Sequence, residues 1–184
     1  MQREEVRMSR LRICAAAATI LAVLAAAGCG QDPFQAGDWK SASAAGVNLE
    51  WRVDGEDLAL RVSAETTGWV AAGFDPETGM DFANLIIGYV DGSGAHVDDH
   101  WGTEPDQHVS DLSLGGLYNI LQSDGSEEGG TTEIEVLIPL DSGDVFDKPL
   151  SPGSTYTVIL ARGPDDADNY STKHVAAGTV TVEI

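Results

Sequence analysis

Cysteine and cationic side chains are both scarce. The chain of 184 residues has two cysteines, Cys14 and Cys29, and ten lysines and arginines against thirty aspartates and glutamates. The formal charge of −20 excludes nucleic acid as a partner, because phosphate backbones repel such a surface. It equally disfavours electrostatic adhesion to anionic lipid. Other absences narrow the chemistry. There is no Gly-x-Ser-x-Gly elbow and no cysteine placed for nucleophilic catalysis. No segment after Cys29 sustains a 3.6-residue apolar stripe, which argues against a helical or α/β domain. An apolar fraction of 42% nevertheless suffices for a core, so the acidity does not signal disorder.

The few cations are unevenly spread. Residues 1–28 hold Arg3, Arg7, Arg10 and Arg12 against Glu4 and Glu5, which leaves −22 for everything from Cys29 onward. Directly after the arginines, Ile13 to Gly28 is an unbroken run of apolar and small residues. As a helix it would rise about 24 Å, short of the roughly 30 Å hydrocarbon core. A basic head, an Ala/Leu-rich centre and small residues at the end describe an export signal, with Met8 offering an alternative start. Leu24-Ala-Ala-Ala-Gly28-Cys29 resembles the bacterial lipoprotein signal, in which the cysteine is lipidated and becomes the mature N-terminus. The expected organisation is a removable signal over 1–28, a lipidated tether over 29–40 and a domain over 41–184. With Cys29 lipidated, the domain has no internal disulfide, and acyl chains hold it to the extracytoplasmic face of a bacterial envelope.

Period-two alternation dominates the remainder. Val47, Leu49, Trp51 and Val53 fall on one face of a strand with Asn48, Glu50 and Arg52 on the other, and Leu58, Leu60, Val62 and Ala64 repeat the pattern. Further strands are expected over Gly68–Phe74, Asn84–Asp91, Ala95–Trp101, Leu117–Gln122, Thr131–Ile138, Thr155–Ala161 and Val175–Ile184. Turn signals such as Asp91-Gly-Ser-Gly94, Asp124-Gly-Ser126 and Ser151-Pro-Gly153 separate them. The fold expected is all-β, a two-sheet antiparallel, immunoglobulin-like sandwich of about nine to eleven strands.

Two clusters could carry chemistry. His96, Asp98 and His100 share one strand face, with His108 nearby, and a divalent metal could be held there; an exposed acidic face is the plainer reading. Met80 stands in a polar loop, and the other two methionines, Met1 and Met8, lie in the export segment. A thioether is a soft ligand for haem iron or Cu(I), with neutral imidazole as its natural companion. His174 opens the last expected strand, although spacing alone does not bring it to Met80.

Thr67-Gly-Trp-Val-Ala-Ala-Gly-Phe74, Gly79-Met-Asp-Phe-Ala-Asn-Leu-Ile-Ile-Gly-Tyr-Val-Asp91 and Val97-Asp-Asp-His-Trp101 together resemble the DOMON domain. The likeness continues through Pro139-Leu-Asp-Ser-Gly-Asp144 and His174-Val-Ala-Ala-Gly178, covering roughly Val47 to Ile184. It implies a β-sandwich that binds b-type haem or, in other branches, sugars. In the haem-binding branch a Met and a His are the axial ligands, and Met80 and His174 match those positions. The lack of Cys-x-x-Cys-His agrees with haem held noncovalently. Trp69, Phe74, Phe82 and Tyr89 flank the Met80 block and are candidates for the pocket. The function implied is single-electron transfer by a haem carrier, which needs no catalytic residue of its own. The partner would be a redox protein such as a membrane quinone-linked cytochrome or a dehydrogenase. A haem-free carbohydrate-binding module using Trp39, Trp51, Trp69 and Trp101 is the alternative, and copper held by Met80 with histidine is a third.

Overall fold

A computed structural model describes residues 32–35 and 37–184. The expected signal over 1–28 and the expected lipidation site at Cys29 lie outside these residues. Where apolar and polar residues alternate, the chain forms strands whose apolar sides meet. A five-stranded sheet has the order β1-β2-β3-β9-β8 and a six-stranded sheet the order β11-β10-β4-β5-β6-β7, with every pairing antiparallel. The first sheet comprises β1 (Lys40–Ala44), β2 (Val47–Asp54), β3 (Asp57–Ala64), β8 (Gln122–Glu128) and β9 (Thr131–Pro139). The second comprises β4 (Val70–Phe74), β5 (Asn84–Asp91), β6 (Gly94–Glu104), β7 (Gln107–Ser110), β10 (Thr155–Arg162) and β11 (Ala176–Glu183). One short helix, α1 (Asp111–Leu114), follows β7. The eleven strands form the expected two-sheet sandwich.

The core lies between the sheets. Leu49, Leu58, Leu60, Val62, Ile134 and Val136 from one side meet Val70, Phe74, Ile86, Val158 and Leu160 from the other, all wholly buried. Each such side chain contributes about 1.5–3 kcal/mol on leaving water, so this interior holds the domain together without a disulfide. Part of the segment expected as a tether is docked onto the five-stranded sheet. Phe34 is buried, the Arg52 guanidinium donates to the Pro33 carbonyl, and Trp39 lies under the Arg61 guanidinium at 4.3 Å.

Three elements differ from expectation. Residues 117–121 do not form a strand, and Leu117, Tyr118 and Leu121 are exposed. The strand instead starts at Gln122 and runs through Asp124-Gly-Ser126, which was expected to turn. As an edge strand exposed along nearly its whole length, β8 has no apolar side, so alternation could not reveal it. The same holds for β1 and β7, also sheet edges, which carry little apolar patterning.

Candidate functional site: a cavity on the outer face of the six-stranded sheet

Strand alternation gives the six-stranded sheet two apolar faces. Val70, Ala72 and Phe74 point into the sandwich, while Ala71 and its outward neighbours belong to a second apolar cluster with Trp69, Ile87 and Ala161. The register aligns the outward residues in two rows. Ile87, Ala71, Ala161 and Ala177 run side by side across β5, β4, β10 and β11. Leu85, Gly73, Ile159 and Thr179 form the row beside them. Ala71 and Ala161 at the centre of one row and Gly73 in the other leave a hollow, the floor of a cavity of about 450 Å³. That volume falls within the roughly 300–1,000 Å³ of small-molecule and cofactor pockets.

The loop bearing Met80 forms part of the rim, and glycines at two positions make its course possible. Gly79 has φ +60°, and a Cβ there would stand 2.2 Å from the Pro105 carbonyl oxygen. Gly102 on β6 lies against the loop, where a Cβ would stand 1.6 Å from the Met80 carbonyl oxygen. The loop is then tied to the sheet by backbone bonds. Met80 N–H donates to Pro105 O at 3.0 Å, Phe82 N–H to Gly102 O at 2.9 Å, and Ala83 N–H to Met80 O at 3.0 Å. Half-buried Met80 lines the cavity.

A second loop, residues 171–175, brings His174 to the same cavity, where it is exposed. The Asn169 side-chain oxygen accepts from Ser171 N–H, Ser171 Oγ and Thr172 N–H, which turns the chain. Trp69 Nε1 donates to the Thr172 carbonyl at 3.0 Å, and Val175 N–H donates to Arg162 O at 2.9 Å, which fastens the loop at both ends. Thus Met80, His174 and Trp69 line one cavity, although 94 residues separate the first two in sequence.

The other three expected pocket residues lie elsewhere. Phe74 points inward and is wholly buried in the main core. Phe82, at φ +59° and 44% exposed, packs edge-on against Trp101. Tyr89 stacks on His96 at 4.8 Å and touches Tyr170, beyond the cavity wall. The expectation placed aromatic residues around the Met80 block; the register instead builds the floor from alanine and glycine on three other strands.

Two lining residues were not expected at the cavity; His108 was expected only beside a strand face that could hold a metal. Lys173 lines the cavity, and it is the one cation among the described residues in neither an ion pair nor a hydrogen bond; Lys40, Arg52, Arg61, Lys148 and Arg162 are all engaged. His108 also lines the cavity, and its Nδ1 lies 2.8 Å from Nδ1 of His100. His100 Nε2 in turn lies 3.1 Å from Asp98 Oδ2. The Nδ1–Nδ1 contact holds one proton, so the two imidazoles cannot both be cationic in this geometry. Burial, reinforced by the His100 charge, lowers the His108 pKa to about 4. Burial alone would raise Asp98, but the hydrogen bond and charge of His100, with hydrogen bonds from Asp99 N–H and Ser110, together hold the carboxyl below its ordinary value. His96 stands apart from this pair, bonded to Asp91 and Ser93.

The site is therefore an open, mostly apolar cavity on a β-sandwich, lined among others by a methionine, two histidines and one unengaged lysine. These features belong to a small-molecule or cofactor-binding domain. The chain belongs to the DOMON domain family, which matches residues 43–163. It is 32% identical over 127 residues to mouse (Mus musculus) DBH-like monooxygenase protein 1, a match that takes in 68% of this chain and 20% of that protein. The chain thus spans about a fifth of that relative's length. Among solved structures, the cytochrome b domain of pyranose dehydrogenase from Coprinopsis cinerea superposes with a TM-score of 0.55 at 15% identity, over 74% of this chain and 76% of that one. The cytochrome domain of Myriococcum thermophilum cellobiose dehydrogenase superposes with a TM-score of 0.53 at 7% identity, over 75% of this chain and 74% of that one. At these identities the likeness establishes the fold.

Proposed function

We propose that this DOMON domain holds b-type haem in the cavity on its outer sheet face, with Met80 and His174 as axial ligands, and serves in electron transfer. The observation that carries the reading is the convergence of Met80 and His174 on one cavity from two separate loops. The donor set suits the group: a soft thioether and an imidazole for iron, above a floor of alanine, glycine and isoleucine. Two structures with the same fold are named as cytochrome domains, which supports the reading further.

Met80 and His174 would hold the haem, which would supply a one-electron couple there. This chain's own residues build and hold that site. Trp69 fixes the His174 loop through Thr172, and Gly102 and Pro105 fix the Met80 loop. Lys173 offers its ammonium to a carboxylate at the cavity mouth, as a porphyrin propionate would require.

The redox partner is taken to be a protein with a basic docking face, a membrane cytochrome or a dehydrogenase. The surplus of negative charge would steer such a partner and weaken its docking as salt rises. The basic leader and Cys29 support a lipid-anchored place at the bacterial envelope. The tryptophans offered for a sugar platform are dispersed: Trp39 lies under Arg61, Trp51 is in the core, Trp69 is at the cavity and Trp101 packs on Phe82.

Reconstitution tests the proposal. The purified full chain is mixed with haemin and its visible spectrum recorded, oxidised and reduced. A stoichiometric Soret band with low-spin reduced bands is expected. Folded chain that takes up no haem would overturn it.

A further inference from the structure

Beside the cavity, but facing the other way, lies a group of acids that haem binding does not use. Alternation along β6 sends Asp98 and His100 to the cavity side and Asp99 inward with Val97. Asp99 meets Asp111, the first residue of α1, and Asp147, from the connection between β9 and β10. One carboxylate oxygen from each lies within 4.8 Å of the others. Asp99 is 2% exposed and Asp111 is wholly buried.

The decisive feature is lack of partners. Asp99 Oδ1 and both carboxylate oxygens of Asp111 are buried with no hydrogen-bond donor. No lysine, arginine or histidine forms an ion pair with any of the three among the described residues. On the inward face of the adjacent strand, Asn84 Oδ1 is another buried oxygen without a donor. A buried carboxylate left in this condition is strongly unfavourable. Protonation relieves the charge, and burial with mutual repulsion raises Asp99 to about 8 and Asp111 to about 7. A cation would satisfy the charge and the oxygens together.

We infer that Asp99, Asp111 and Asp147 form a binding site for a calcium ion, independent of the haem cavity, which pins α1 and the β9–β10 connection to β6. The ligand set is all oxygen, which selects a hard cation over zinc or copper. The three oxygens lie within 4.8 Å of one another, close enough for one ion with calcium–oxygen distances of about 2.3–2.6 Å to reach them all. Magnesium holds several of its waters and demands a strict octahedron, so a group of carboxylates buried in the protein suits it less well. The three residues come from separate elements, so the ion acts as a cross-link between them.

Calorimetric titration of calcium chloride into the chelator-treated, haem-free full chain tests the inference, with thermal melting alongside. One ion per chain is expected, with a melting temperature about 5–10 °C higher at calcium 100-fold above Kd and a weaker response to magnesium. Asp99→Asn and Asp111→Asn should each abolish the calcium response. Because each removes a buried carboxylate, the chelated variants should melt no lower than chelated wild type. If a variant does not fold, the wild-type titration decides alone. Absence of calcium binding in folded wild type overturns the inference, as does an equal rise in melting temperature in wild type and both variants. Haem uptake plays no part in either readout, so this inference can fail while the haem reading stands.

Discussion

Gly102 lies directly against the backbone carbonyl of Met80: a Cβ at position 102 would stand 1.6 Å from that oxygen. The contact ties the end of β6 to the loop that presents the thioether, and no side chain fits between them. Gly102→Ala must therefore push the loop outward. A cost of about 1–3 kcal/mol in unfolding free energy is expected, measured by urea titration. The larger effect should fall on haem: the variant loses the low-spin spectrum under conditions where it remains folded by circular dichroism.

Trp69 and Phe74 bracket β4 but serve opposite faces of the sheet. Phe74→Ala opens the main core and should cost about 3–5 kcal/mol, with the haem spectrum of the surviving folded protein unchanged. Trp69→Phe keeps most of the ring but deletes the hydrogen bond to Thr172 that holds the His174 loop. It should weaken haem retention, read as faster transfer to a competing apo-globin, with a much smaller loss of stability.

Lys173 gives a prediction about charge. Lys173→Ala should lower haem affinity about 3- to 10-fold at low ionic strength, the range of a charge-assisted contact at a partly solvated site. Lys173→Arg should restore most of it. The difference between wild type and the alanine variant should shrink as salt is raised.

His108 supplies a pH dependence. Its pKa in the folded chain is lowered to about 4, whereas an unfolded histidine titrates near 6.5. Between these values the unfolded chain binds the extra proton, so stability is fully present above about 6.5 and is lost as pH falls toward 4. The raised carboxyls Asp99 and Asp111 act in the opposite sense: in chelated protein their contribution falls as pH rises from about 4 toward 7 and 8. Comparing urea midpoints of wild type and His108→Asn across this range isolates the histidine. The gap between them should close as pH falls from about 6.5 to 4.

The strands that build the sandwich interior were legible because one side of each meets a core. β2 and β3 alternate cleanly, and their apolar residues are the ones buried. β8 was not legible, since a fully solvated edge strand needs no apolar side. Met80 and His174 could be singled out by chemistry and family resemblance, but their meeting depends on two loops that no local pattern specifies. The floor is less legible still. Ala71, Ala161 and Ala177 become neighbours only through strand register, and none is distinctive alone. Asp99 left a partial trace, as an acid on the inward phase of a strand between Val97 and Trp101. Asp111 and Asp147 left none in a chain with thirty acids.

The haem reading rests on two atoms, the sulfur of Met80 and an imidazole nitrogen of His174. Visible spectra of haem-loaded wild type, Met80→Ala and His174→Ala, oxidised and reduced, address them directly. Each substitution should convert the low-spin reduced spectrum to a high-spin one while the chain stays folded by circular dichroism. A low-spin spectrum unchanged in either variant would remove that residue as a ligand and contradict the proposed site.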